Sequence, residues 1–148
     1  MDKKEQFSKF HEYWEAVNST YEEYARELGV SYSFLHVLCE LYNSDSVMTQ
    51  RRICEVCHLP KTTVNAIITG LMKQGHVLLK ELKEDRRQKQ IVLTKKGLNY
   101  ASPIMEHMQE SELKAFECID EETIQYMING IKEYQELFMN NLIRRTTL

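Results

Sequence analysis

The sequence predicts a mostly α-helical fold carrying one small β-hairpin. Three observations predict it. Helix breakers are scarce, with 5 Gly and 2 Pro in 148 residues, and the good helix formers Glu, Lys, Leu and Met are plentiful. Apolar residues recur at three- and four-residue steps toward both ends of the chain. Only around residues 76–94 does the pattern shorten to two β-prone runs.

The length suits one domain. At 43% hydrophobic and 28% charged residues, the composition excludes the disordered and membrane classes. No apolar run approaches the roughly 18 residues of a membrane-spanning helix. The opening "MDKKEQFSKFHEYW" has no apolar core of a secretory signal, so a cytoplasmic protein with reduced thiols is expected. In that setting the 4 cysteines read as buried apolar residues before they read as a disulfide framework.

The net charge of −3 is unevenly spread. Residues 51–100 hold 11 Lys/Arg against 4 Asp/Glu, while each flank holds 4 against 9. A basic middle between acidic ends suits a surface that meets a polyanion. A merely solvated basic face has the same signature.

The first helix is the clearest element. Phe7, Phe10, Trp14, Val17, Tyr21, Tyr24 and Leu28 form a heptad seam, and Gly29 ends it. Near the other terminus Ile124, Met127, Ile131, Tyr134 and Phe138 repeat the spacing. Two such helices in a small chain read as a homodimer interface, with packing inside the monomer as the alternative. Ser31 or Ser33 can cap a second helix through Phe34, Leu35, Leu38 and Leu41. "NSDS" is a turn, and Val47-Met48 is a brief apolar stretch.

Thr49 is a good cap for a short third helix, "QRRICEVCHLP". Pro60 and Lys61 open a fourth, which continues through Val64, Ile67, Ile68, Leu71 and Met72 and stops near Gly75. A short helix, a tight turn and a second helix make a helix-turn-helix. "CEVCH" at 54–58 matches the attachment pattern of covalent haem, and Cys54 and Cys57 lie on one helix face. No axial partner or second ligand pair accompanies it. Haem, structural metal and a thiol switch therefore rank below buried cysteines in a helix-turn-helix core, with Cys54 sized for the helix crossing. No cofactor and no metal site are expected.

"HVLLKEL" and "QIVLT" then flank the charged turn "KEDRRQK", and Thr94 caps a fifth helix beginning "KKG". A helix-turn-helix followed at once by a hairpin is a winged helix. Here the chain resembles the MarR family, the multiple-antibiotic-resistance type of winged-helix transcriptional regulator. The resemblance rests on "QGHVLLKELKEDRRQKQIVLTKKG" at 74–97: Gly75 before the first wing strand, Asp85 with Arg87 in the wing, and Leu93-Thr94-Lys95-Lys96-Gly97 into the next helix.

The resemblance implies a homodimer built by residues 1–30 and 98–148, with residues 31–97 as the DNA-binding lobe, all in one continuous domain. It implies double-stranded DNA as partner, a palindromic operator, repression, and release by a small amphipathic or aromatic effector. The polar positions opening the fourth helix, Lys61, Thr62, Thr63 and Asn65, with Thr69 one turn on, suit base edges. Thr62 can instead cap the helix. Arg87 at the wing tip suits a narrow minor groove, with Asp85 orienting it. Arg86 and Lys89 suit phosphates, as do Arg51, Arg52, Lys73, Lys95 and Lys96.

Trp14, Tyr21, Tyr32 and His36 are candidates for an effector pocket, or simply core. The pairs His36 with Cys39 and His107 with Glu110 are spaced for a metal, but such pairs also arise by chance. Pro103 inside the fifth helix is expected to kink it, which can shape a cavity. A protein-binding winged helix and a metal- or redox-responsive regulator are the alternative functions. No phosphate loop, nucleophile elbow or metalloprotease spacing supports an enzyme.

Overall fold

The computed structural model describes residues 1–82 and 88–144. The elements follow in the order α1 (Lys3–Glu27), α2 (Tyr32–Asn43), α3 (Gln50–Cys57), α4 (Lys61–Lys73), β1 (Val77–Glu81), β2 (Lys89–Leu93), α5 (Lys95–Glu117) and α6 (Glu121–Arg144). This is a winged helix-turn-helix with long helices before and after it, the fold class expected from the sequence. The chain divides into two compact units, Met1–Met105 and Glu106–Leu148.

Local chemistry explains where the helices start. The Ser31 hydroxyl accepts from the Phe34 N–H at 3.1 Å, and the Thr49 hydroxyl accepts from the Arg52 N–H at 3.1 Å. Each satisfies one orphan donor of a first turn. The Thr94 hydroxyl does the same for the Gly97 N–H at 3.0 Å while donating to the Gly75 carbonyl at 2.7 Å. It thereby ties the start of α5 to the end of α4. Thr62 does not cap α4, whose N-cap is Pro60 without a side-chain bond. Gly29 and Gly75, at φ +71° and +73°, turn the chain after α1 and α4; side chains on Cβ disfavour that region.

The core of the first unit gathers α2, α3, α4 and the hairpin. Val37, Leu41, Met48, Ile53, Cys57, Val64, Ile68, Leu71, Val77 and Ile91 are buried together. Fully burying a side chain of Val, Leu or Ile size contributes about 1.5–3 kcal/mol, so this cluster holds the helix-turn-helix to its wing. The strands pair antiparallel, with Val77 opposite Leu93 and Glu81 opposite Lys89. The apolar stretch before α3 joins them. The Ile91 N–H donates to the Met48 carbonyl at 2.7 Å, and Thr49 bridges Gln90.

Helix α5 continues through Pro103, so the proline does not end it. The missing N–H leaves the Asn99 carbonyl without its usual helical donor. One residue beyond the proline, the Ile104 carbonyl accepts from the Tyr24 hydroxyl of α1 at 3.2 Å. On α1 the expected seam divides: Phe7, Trp14 and Val17 are exposed, Phe10, Tyr21, Tyr24 and Leu28 are half-buried, and Ala25 is the buried residue.

In the second unit Asp120 starts α6, accepting from the Thr123 N–H at 2.9 Å and the Thr123 hydroxyl at 2.6 Å. Those bonds hold its carboxyl below the usual range. Along α6, Met127, Ile131 and Phe138 are exposed.

Candidate nucleic-acid interface

The exposed face of α4 follows from its sequence. Val64, Ile68 and Leu71 point into the core, so Lys61, Thr62, Asn65 and Thr69 are left outward. Thr63 is half-buried. The hairpin stands beside this helix because Val77 and Ile91 share its core.

Between α3, α4 and the hairpin lies a groove of about 630 Å³. Lys61, Asn65, Ile68, Thr69 and Met72 of α4 form one wall. Leu79, Gln88, Lys89 and Ile91 of the wing form the other, and Thr49, Gln50, Arg51 and Cys54 close the end. The rim is cationic and amide-bearing; the floor is apolar. Of the residues expected to meet DNA, the groove unites Lys61, Asn65, Thr69 and Lys89 with Arg51, expected at phosphates. Thr62 and Thr63 do not line it. Asp85, Arg86 and Arg87, with Lys83, lie outside the described residues.

Sequence reasoning missed Gln50 and Gln88. Gln50 donates from its side-chain amide to Asn65 Oδ1 at 3.5 Å, a contact between helices that no local pattern announces. Arg51, expected at phosphates, pairs with Glu55 at 2.9 Å, and Arg52 reaches the same carboxylate at 3.8 Å. Both arginines remain solvent-exposed, and such pairs are worth little in water. The Lys96 ammonium donates to the Gln74 carbonyl at 2.7 Å, bracing the turn between α4 and β1.

"CEVCH" has a structural explanation. Cys57, rather than Cys54, is the thiol taken fully into the core. Burial, then the Glu40 carboxylate, then Cys39 and Cys54, push its thiol up to about 11. Cys54 is half-buried and packs against that core from the groove side. His58 caps α3 in the left-handed region at φ 52° and ψ 37°. Among the described residues no three His, Cys, Asp or Glu side chains converge on a metal-sized site. His36 lies 4.0 Å from Glu40, one turn along α2.

Tyr32 and His36 stand side by side on α2 with ring centres 5.8 Å apart. Trp14 packs on Phe10 along α1 at 5.8 Å and is exposed. Tyr21 is half-buried. None of the four lines the groove, nor the smaller one of about 270 Å³ between the start of α2 and the far side of α4. No described helix is long and apolar enough to cross a membrane.

The comparisons with known proteins agree with this architecture. Residues 28–88 match the MarR family. The chain is 25% identical to the HTH-type transcriptional regulator PrsX of Escherichia coli, over 71% of this chain and 70% of that protein. It is similar in structure to NMB1585, a MarR family regulator from Neisseria meningitidis, with a TM-score of 0.78 and 23% identity over 98% of this chain and 99% of that one. It is also similar to Streptococcus pneumoniae FabT in complex with DNA, with a TM-score of 0.73 and 18% identity over 90% and 98%. At these identities the structural likeness establishes the winged-helix fold.

Proposed function

We propose that this chain is a transcriptional regulator of the MarR family, not an enzyme, and a sequence-specific DNA-binding repressor. It acts as a homodimer on a palindromic operator. The observation that carries the reading is the groove, where Lys61, Asn65, Thr69 and Lys89 meet on one cationic, amide-bearing face of the helix-turn-helix and wing. A recognition helix enters a major groove with the N-terminal residues of its outer face toward base edges. Asn65 suits a base edge, and Lys61 and Lys89 suit guanine or phosphate. Arg87 and Asp85 enter the proposal from the sequence, as the minor-groove arginine and the acid that orients it.

Dimerisation falls to residues 1–30 and 98–148. Its support is the exposed apolar seam on each terminal helix: Phe7, Trp14 and Val17 on α1, and Met127, Ile131 and Phe138 on α6. Contiguous apolar faces of this kind mark association surfaces. A small amphipathic or aromatic effector, held near Trp14, Tyr21, Tyr32 and His36, completes the reading by analogy with the family. The protein works in the cytoplasm.

Fluorescence anisotropy against a palindromic duplex library and the duplex upstream of its own gene, at two salt concentrations, tests this. Wild type should bind tightly with a steep salt slope. Lys73→Ala should weaken every sequence alike, whereas Asn65→Ala and Arg87→Ala should also relax base preference. Absence of binding to any duplex at low salt sinks the DNA reading. Sedimentation of the free protein should give twice the chain mass.

A further inference from the structure

We propose that Gln50 is a specificity-determining residue that acts through Asn65: its side-chain amide pairs with the Asn65 amide and sets which end of it faces a base pair. This rests on the DNA-binding reading above and adds a residue from outside the recognition helix.

The geometry brings the two amides together from different helices. Gln50 is the first residue of α3 and Asn65 lies in the second turn of α4. Gln50 Nε2 donates to Asn65 Oδ1 at 3.5 Å, a long hydrogen bond of the free chain. Both residues line the groove that carries Lys61 and Lys89. The backbone on which Gln50 stands is held on two sides. The Thr49 hydroxyl just before it caps α3 at 3.1 Å. The Met48 carbonyl and Thr49 join strand β2 through Ile91 and Gln90. Gln50 therefore reaches α4 from a support fixed to the wing.

A primary amide is ambivalent: a half-turn about its last bond exchanges donor and acceptor. An exposed Asn65 on its own presents either end to a base. Gln50 carries an amide too, so the two turn as a matched pair, and the arrangement in the structure, with Gln50 donating, selects one. With Oδ1 turned toward Gln50, the Asn65 NH₂ is left as the outward donor. A donor in the major groove favours acceptor edges, N7 of a purine, O6 of guanine or O4 of thymine, over the amines of cytosine and adenine. Changing Gln50 to Glu reverses the pair, because a carboxylate accepts but cannot donate. It draws the Asn65 NH₂ toward itself and turns Oδ1 outward.

The test is base-preference profiling of the full-length protein over every operator position, with titrations of the preferred duplex. Wild type, Gln50→Ala, Gln50→Glu, Asn65→Ala and the double alanine variant are compared. One position should lose its preference completely in Asn65→Ala. At that same position Gln50→Ala should lose about tenfold of discrimination, within the range of one good base contact, with other positions unchanged. The double variant should discriminate no worse than Asn65→Ala. Gln50→Glu, though weaker overall, should shift that position toward a base offering an amine. In the DNA-free protein, the Asn65 side-chain NH₂ resonances should move in Gln50→Ala.

A uniform loss of affinity in Gln50→Ala with an unchanged profile makes Gln50 a phosphate contact and overturns this proposal alone. Additive effects in the double variant, or Asn65 resonances that stay in place, overturn it as well. Failure of wild type to bind any duplex overturns the DNA-binding reading and this proposal with it.

Discussion

Gly97 of α5 lies directly against the backbone of His76: a methyl group on its Cα would stand 1.9 Å from the His76 carbonyl oxygen and 2.8 Å from its carbon. That carbonyl already accepts from the Thr94 N–H at 2.9 Å. The wing can begin beside α5 only because residue 97 has no side chain. The obstacle is backbone, so no rotamer change relieves it.

Gly97→Ala should therefore separate the start of β1 from α5. An overpacking loss of about 3 kcal/mol is expected, read as a lowered urea midpoint. Gly130, around which there is open space on α6, is the control. Gly130→Ala should be neutral or stabilising by up to about 1 kcal/mol, the helix-propensity gain. Equal midpoints for the two variants would sink the close-approach account.

The His76 side chain carries a pH dependence. It is 8% exposed, stacks on Tyr100 at 4.5 Å, and its Nδ1 has no hydrogen-bond partner among the described residues. Burial, then the nearby Lys96 ammonium, lowers its pKa from 6.5. The unfolded chain therefore takes up the proton first. Stability from the neutral ring is fully present above about pH 6.5 and is lost as pH falls toward the folded-state value. His76→Phe keeps an aromatic stack and has nothing to protonate. Tm measured from pH 7.5 to 5 should fall less steeply in that variant than in wild type. Parallel curves would rule His76 out as the titrating group.

The thiols should separate by reactivity. A thiolate is the nucleophile, and Cys57, buried and pushed up to about 11, holds almost none near neutral pH. Timed alkylation at pH 7.5 with peptide mass mapping should find Cys57 the slowest of Cys39, Cys54, Cys57 and Cys118. Labelling of Cys57 in native protein as fast as in urea would contradict the core assignment.

His58 closes α3 in a conformation that costs most L-residues about 1–2 kcal/mol. His58→Gly relieves that strain but loosens the unfolded chain. The net change should be small, within about 0.5 kcal/mol either way. His58→Val, with a branch at Cβ, should lose more than about 1 kcal/mol. Denaturant midpoints decide it, and a Val variant as stable as the Gly variant would mean that the turn rearranges.

The sequence by itself determined the features that local chemistry governs. Apolar residues at helical spacing marked the faces of α1, α4 and α6. Thr49 and Thr94 were legible as caps, and Ser31 as one of two candidates beside Ser33, because a cap bond closes within three residues. The short β-prone runs within residues 76–94 marked the wing, and the excess of Lys and Arg in residues 51–100 marked a basic segment between acidic flanks.

Only the tertiary structure decided the rest, since each remaining feature joins residues far apart in the chain. Met48 pairs with Ile91, Gly97 fits under His76, and Gln50 meets Asn65 through contacts that leave no periodic trace in either segment. Cys54 and Cys57 share a helix face, and three residues of spacing cannot say which enters the core. The packing of α2, α4 and the hairpin around α3 places Cys57 inside and leaves Cys54 at the wall of the groove.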